Sequence, residues 1–385
     1  MLITAHEVVT GQELLQPGWL EVSGGRIVSI GGRTPPRPAD LDLGEVTVVP
    51  GFVDTHVHGG AGATFSDATP EATRTARDLH LAHGTTTLVA SLVSATPETM
   101  RHQVGVLSTQ VRDGILDGIH VEGPWLSLRR CGAHEPSALR PPDPDEVDAL
   151  LRLGAGTIRM VTLAPELPGA LDAVRRVVGA GAVAAIGHTD GTYDDARAAV
   201  EAGATVATHL FNAMRPVHHR EPGPVLALME NERVTLEMIT DGTHLHPALY
   251  RQVMAAVGAE RISLVTDAMA AAGMADGGYH LGPRPVDVVD GVARLAGAET
   301  IAGSTATMDR LFRFVLAESG LERGTALHAA VHQTSVGPAR ALGLPPAGLR
   351  PGAAADLVVL DSSCHLTRVM RRGVWVAPPP AADDA

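Results

Sequence analysis

Eight short apolar runs, separated by stretches with helical spacing, fill the middle of this chain and limit the folds open to it. They lie at 47–57, 85–90, 117–122, 158–163, 182–188, 205–209, 234–239 and 262–267. Between them, segments such as 71–82, 170–179, 194–201 and 247–257 carry the 3.6-residue apolar period of a helix. Alternating β and α elements build a parallel sheet covered by helices. The fold class is therefore α/β, and eight repeats predict a TIM (β/α)8 barrel. A doubly wound three-layer sheet is the alternative.

The two ends read differently. Residues 1–50 hold short strand patterns, with Gly24-Gly25 as a hairpin turn, and so do 355–361 and 367–376. Such segments are unstable alone. They are expected to pair into one small β-sandwich domain made of 1–50 and 346–385, leaving 51–345 as the barrel. Gly277-Gly278, Gly282-Pro283 and Asp290-Gly291 predict a β-hairpin insertion near 276–303, with a helix over 304–318. The Pro- and Ala-rich tail after Val376 predicts disorder.

Aromatic residues make up 3% of the 385 residues, so the core must be aliphatic. A net charge of −13 argues against nucleic acid and anionic membrane as partners. Two cysteines, Cys131 and Cys364, form no disulfide framework and fit a reducing cytoplasm. The N-terminus lacks the pattern of a signal peptide, and no run of about 18 apolar residues suggests a membrane span. All 30 basic residues are arginine. The absence of lysine excludes both a Schiff-base lysine and a carboxylated lysine bridging two metals.

Polar residues collect where the predicted strands end. His56 and His58 are two apart, on one face of the first strand. Gly59-Gly60 follows and lets the backbone turn away. Alone, the pair is balanced between a metal site and surface histidines. Glu122 ends the third run, His188 the fifth, His209 the sixth and Asp267 the eighth, and His244 follows the seventh. In a barrel these ends share the face where catalytic groups gather. Histidines and carboxylates converging there point to a divalent-metal site.

This arrangement resembles the amidohydrolase superfamily. Ile119-His120-Val121-Glu122-Gly123-Pro124-Trp125, Gly187-His188-Thr189, Thr208-His209-Leu210-Phe211-Asn212-Ala213-Met214, His218-His219-Arg220-Glu221-Pro222-Gly223, Asp241-Gly242-Thr243-His244, Leu264-Val265-Thr266-Asp267-Ala268 and Ala302-Gly303-Ser304 are similar, in order, to the N-acetylglucosamine-6-phosphate deacetylase family within it. His-Val-Glu-Gly-Pro together with His-His-Arg-Glu-Pro-Gly carries most of that likeness. The family uses a strand-three glutamate where other branches use a lysine, and Glu122 matches it.

The resemblance implies hydrolysis of the acetamide of N-acetyl-D-glucosamine 6-phosphate, in amino-sugar and cell-wall sugar recycling. It implies one or two divalent ions per subunit. Glu122, His188 and His209 would hold one, and His56 and His58 would complete a second site bridged by Glu122. Zinc suits such donors, with iron, manganese and cobalt as alternatives. Asp267 would act as general base and then acid, and His134 would polarise the carbonyl. Arg220 would bind the phosphate from the neighbouring subunit of a homodimer. Asn212, Ala213, Ala133 and His244 would contact sugar or phosphate, and Met308 the acetyl group.

Some assignments have plain alternatives. His134 can be a loop histidine without a role, and Met308 a core residue on a helix face. Cys131, beside Arg129-Arg130, is either a thiol on a lid over the substrate or an incidental free cysteine. Competing functions are hydrolysis of the galactosamine epimer or of an N-acyl amino acid. A non-catalytic metal-binding barrel is a further competitor, which the pairing of Asp267 with a full donor set argues against.

Overall fold

The apolar runs pair in chain order. In the computed structural model, which describes residues 1–376, Phe52–Val57, Thr85–Leu92, Gly118–Glu122, Ile158–Leu163, Val183–Ile186, Val206–Ala207, Thr235–Met238 and Ile262–Leu264 form one eight-stranded sheet. The expected disorder of the tail falls outside the described residues. Each strand neighbours its sequence neighbours, and the registers from the second strand to the eighth are parallel. A doubly wound sheet would reverse its order part-way. Beyond the last strand, Asp267 N donates to His56 O at 2.8 Å and His58 N to Ala268 O at 2.8 Å, joining the eighth repeat to the first. These bonds make the sheet a barrel.

Several strands stop short of their apolar runs. The fifth ends at Ile186, the sixth at Ala207 and the eighth at Leu264. The chain then leaves the sheet, and His188, His209 and Asp267 take left-handed backbone, with φ of 48°, 28° and 47°. The first run breaks at Gly51 into Thr47–Pro50 and Phe52–Val57, which belong to different sheets. Glycine is required there because a Cβ would lie 2.1 Å from Thr86 Oγ1. The helices between strands follow their apolar period. Ala170–Gly179, for instance, buries Ala170, Ala173, Val174 and Val177.

Two compact units emerge. One comprises Thr55–Arg77 and Leu88–Ala306. Within it the expected hairpin is a three-stranded meander of Gly277–Leu281, Arg284–Val289 and Val292–Leu295. Gly282-Pro283 and Asp290-Gly291 each make a turn, so the two turn signals produce three strands. Leu281, Val286, Val288, Ala293 and Leu295 bury against Met269, Ala271 and Ala302.

The other unit comprises Met1–Asp54, Asp78–Thr87 and the chain from Thr307. Its boundaries differ from the expected 50 and 346, because the helices Met308–Glu318 and Arg323–Val331 cluster with the terminal β segments. The C-terminal strand Leu357–Leu360 pairs antiparallel with Thr47–Pro50. A second sheet of four strands shares a core with it through Ile3, Leu20, Ile27, Val48, Leu357 and Val359. Arg323 grips Glu7 with two hydrogen bonds, Nη1 to Oε1 at 2.7 Å and Nη2 to Oε2 at 2.8 Å, while Thr47 Oγ1 donates to Oε2 at 2.7 Å. The Arg323 hydrogen bond outweighs burial and holds the Glu7 carboxyl below its ordinary range.

Arg323→Met is expected to destabilise this unit by about 1–3 kcal/mol, because a buried carboxylate loses its donor. Since the folded-state pKa of Glu7 is depressed, its contribution is full above the unfolded carboxylate value and is lost as pH falls through the folded value. Denaturant titrations of both proteins at pH 7 and in the acid range should therefore converge as pH falls.

Candidate active site

Glu122 ends the third strand and is buried with its two carboxylate oxygens facing different groups. Oε1 lies 3.2 Å from His188 Nε2 and 3.1 Å from His209 Nε2, and the two imidazole nitrogens are 3.1 Å apart. Oε2 lies 3.1 Å from His58 Nε2, 3.5 Å from His56 Nε2 and 3.4 Å from His134 Nε2. Asp267 Oδ1 stands on the second side, 3.2 Å from His58 Nε2 and 3.5 Å from His56 Nε2. Burial alone would raise the pKa of both carboxyls. His56 and the hydrogen bonds of His134, His188 and His209 overcome it at Glu122, and the charges and hydrogen bond of His56 and His58 overcome it at Asp267, so both are held well below the carboxylate range.

This donor set fits a divalent metal. Two groups, His56 with His58 and Glu122, and Glu122 with His134 and His188, each bring their ligand atoms within 4.8 Å of one another. His188 Nδ1 lies 2.8 Å from Arg130 O, so it carries the proton and leaves the Nε2 lone pair for a cation. His134 is different. Ser94 N donates to His134 Nδ1 at 3.2 Å, which places the ring proton on Nε2. Burial and then the charge of His188 push its pKa down to about 4, so the ring is neutral. A neutral Nε2–H is a hydrogen-bond donor, which makes His209 the better third ligand beside Glu122 and His188.

These groups open onto a cavity of about 400 Å³. Asn212, Ala213, Ala133 and His244 also line it. His244 is held by Asp241, whose Oδ2 lies 2.8 Å from His244 Nδ1, and this carboxylate outweighs burial to raise its pKa. Asn212 Nδ2 donates to His209 O at 3.3 Å. Other expected residues lie elsewhere. Met308 opens a helix and is buried on the same face as Leu311, Phe312 and Val315; it is not among the lining residues. Arg220 is exposed, donates from Nη1 to His219 Nε2 at 2.7 Å, and does not line its own chain's cavity. Cys131 is half-buried with Sγ 3.7 Å from Gly132 O, and it too is outside the lining. Both neighbouring arginines line the cavity and reach Asp190, Arg129 Nη1 at 3.3 Å and Arg130 Nη2 at 2.8 Å.

Across residues 47–376 the chain matches the Amidohydrolase family. The chain belongs to the amidohydrolase family. It is 37% identical over 355 residues to the human N-acetylglucosamine-6-phosphate deacetylase, covering 87% of this chain and 85% of that one. It is 34% identical over 380 residues to the N-acetylgalactosamine-6-phosphate deacetylase of Escherichia coli O157:H7, covering 97% and 98%. Its fold superposes with a TM-score of 0.97 and 61% identity on an aspartate-to-alanine mutant of the Mycobacterium smegmatis N-acetyl-D-glucosamine-6-phosphate deacetylase in complex with N-acetyl-D-glucosamine-6-phosphate, covering 97% of this chain and 98% of that chain.

This amidohydrolase also places polar groups against the site that sequence reasoning missed. Glu237 is buried inside the barrel, with Oε1 accepting from Thr55 Oγ1 at 3.1 Å and Oε2 3.5 Å from His56 Nδ1. A glutamate in the apolar seventh run was the available signal. His120 fills the layer beneath, bonded to Ser91 Oγ at 2.9 Å and Thr162 Oγ1 at 2.8 Å. Arg130 acts through its backbone carbonyl, which no side-chain motif reveals.

Replacing Glu237 with leucine is expected to loosen the His56 ring and to weaken divalent-metal affinity by about 10–100-fold. Competition with a chelating dye measures this, with circular dichroism to confirm the fold.

Proposed function

We propose that this chain hydrolyses the acetamide of N-acetyl-D-glucosamine 6-phosphate to D-glucosamine 6-phosphate and acetate. The observation that carries this reading is the 61% identical relative bound to that sugar phosphate, over nearly the full length of both chains. The cavity groups supply a role for each step. Glu122, His188 and His209 would hold a divalent ion, zinc by the nature of the donors, and His56 and His58 a second one. Such an ion polarises an amide carbonyl and makes water more acidic.

The remaining chemistry belongs to the chain. Asp267, ionised and facing His56 and His58, accepts a proton from the attacking water and returns it to the nitrogen as the carbon–nitrogen bond breaks. His134 donates from Nε2 to the carbonyl oxygen and follows it as negative charge develops. It stays neutral above its pKa of about 4, so this donor persists through the physiological range. Asn212, Ala213 and His244 contact the sugar and its phosphate. Arg220 reaches the phosphate of a neighbouring subunit in a homodimer, where its planar fork suits the anion.

No described helix is long and apolar enough to cross a membrane, and both cysteines are free thiols, which suits a reducing cytoplasm. The E. coli relative named for the galactosamine epimer keeps that substrate as the second reading.

Acetate release is expected from N-acetylglucosamine 6-phosphate, with little from the unphosphorylated sugar; equal rates on both would remove the phosphate contact. A side-by-side assay of the galactosamine epimer decides between the two phosphorylated sugars. Asp267→Asn should abolish turnover and retain substrate binding by calorimetry. Mixing inactive Arg220→Ala and Asp267→Asn subunits should recover activity, approaching about a quarter of the sites for random dimers. No recovery on subunit exchange would place Arg220 in its own chain's site.

A further inference from the structure

A second cavity, of about 370 Å³, lies behind the candidate active site. The two cavities have one lining residue in common, Val93. At three places neighbouring residues of the chain line different cavities. His134 faces the first cavity and Glu135 the second; Leu281 faces the first and Gly282 the second; Val93 faces both, and Ser94 only the second. The wall between them is firmly held. Val93, Ala133 and Leu281 belong to one buried apolar cluster, and a Cβ at Gly282 would lie 2.9 Å from Val93 Cγ2.

This partition stands at the reacting end of the site. Ser94 N fixes the His134 ring, and His134 Nε2 is the neutral donor for the amide carbonyl. On the deacetylase reading a methyl group on that carbonyl carbon would sit next to the same contact, where the cavity's apolar lining includes Val93, Ala133, Leu281 and Ile301. Next to Val93, the second cavity is lined by Ala95, Ala138 and Pro283 and by Gln103, whose buried Oε1 has no hydrogen-bond partner, and it opens to solvent past polar residues such as Asp67, Thr96 and Ser137.

We propose that Val93 sets the acyl-chain limit of the enzyme: its side chain closes the acetyl end, and room for a longer acyl chain lies directly behind it. The proposal rests on the deacetylase reading above. It assigns specificity for acetyl over longer acyl groups to a single removable partition and makes the second cavity a latent acyl pocket.

The test is a series of N-acetyl-, N-propanoyl- and N-butanoylglucosamine 6-phosphate, assayed by release of the free amine. Wild type is expected to lose about 100-fold or more in kcat/KM from acetyl to butanoyl, since each extra methylene meets a packed wall. Val93→Ala should narrow that ratio by about tenfold or more. Ala138→Leu in the Val93→Ala background, which refills the second cavity, should restore it. Val93→Ile advances the wall and should depress propanoyl relative to acetyl, which keeps the proposal testable if the alanine variant does not fold. Thermal unfolding reports the fold of each. A butanoyl-to-acetyl ratio unmoved in a folded Val93→Ala that still cleaves the acetyl substrate overturns the proposal, and so does a wild type that takes butanoyl as readily as acetyl. A wild type that releases no amine from the acetyl substrate overturns the deacetylase reading, and the acyl limit with it.

Discussion

Everything in the site is arranged around one buried carboxylate. Glu122 is surrounded by five imidazoles and sits in an interior that would ordinarily protonate it. Its charge survives because hydrogen bonds and positive charge outweigh desolvation. The histidines in turn need that charge, since ring nitrogens 3.1–3.2 Å apart have no reason to converge without a shared anion or cation. Neither the carboxylate nor the histidines would be stable there without the other. Because Oε1 faces His188 and His209 while Oε2 faces His56, His58 and His134, the same side chain that concentrates the site also divides it into two halves.

Convergence requires strained backbone. His188, His209 and Asp267 each leave a strand in left-handed conformation, which β-carbon-bearing residues adopt at some cost. The surrounding barrel makes up for it, with strands buried on both faces and a polar layer of Ser91, His120, Thr162 and Thr208 beneath the ligands. Rigid layers below and exposed loops above are the arrangement that a barrel offers to chemistry at its rim.

The barrel was legible because eight double-buried strands leave an unmistakable apolar rhythm. His56, His58, Glu122, His188, His209 and Asp267 were legible because packing alone does not call for imidazoles and carboxylates at the ends of such runs. What was not legible was hidden for physical reasons. Met308 has the same hydrophobicity whether it touches a ligand or a core, and only the helix face decides. The helices after 307 join the terminal strands through long-range contacts such as that between Glu7 and Arg323, which no local pattern announces. The meander read as a hairpin because turn signals mark reversals without counting the strands between them. Contacts made by backbone atoms, such as Arg130 O on His188, leave no trace in side-chain composition.

The hydrogen bonds that close the ring come from the backbone of the reactive residues themselves. Asp267 offers its N–H to His56 O, and His58 its N–H to Ala268 O. The seam of the barrel and the seat of the chemistry are thus the same few peptide groups. A fluctuation that unzips the first repeat from the last must also pull the Asp267 carboxylate away from the histidine pair. Activity and closure then share one cooperative unit, and slow deuterium uptake at the Asp267 and His58 amides is a direct gauge of how often the working enzyme comes apart.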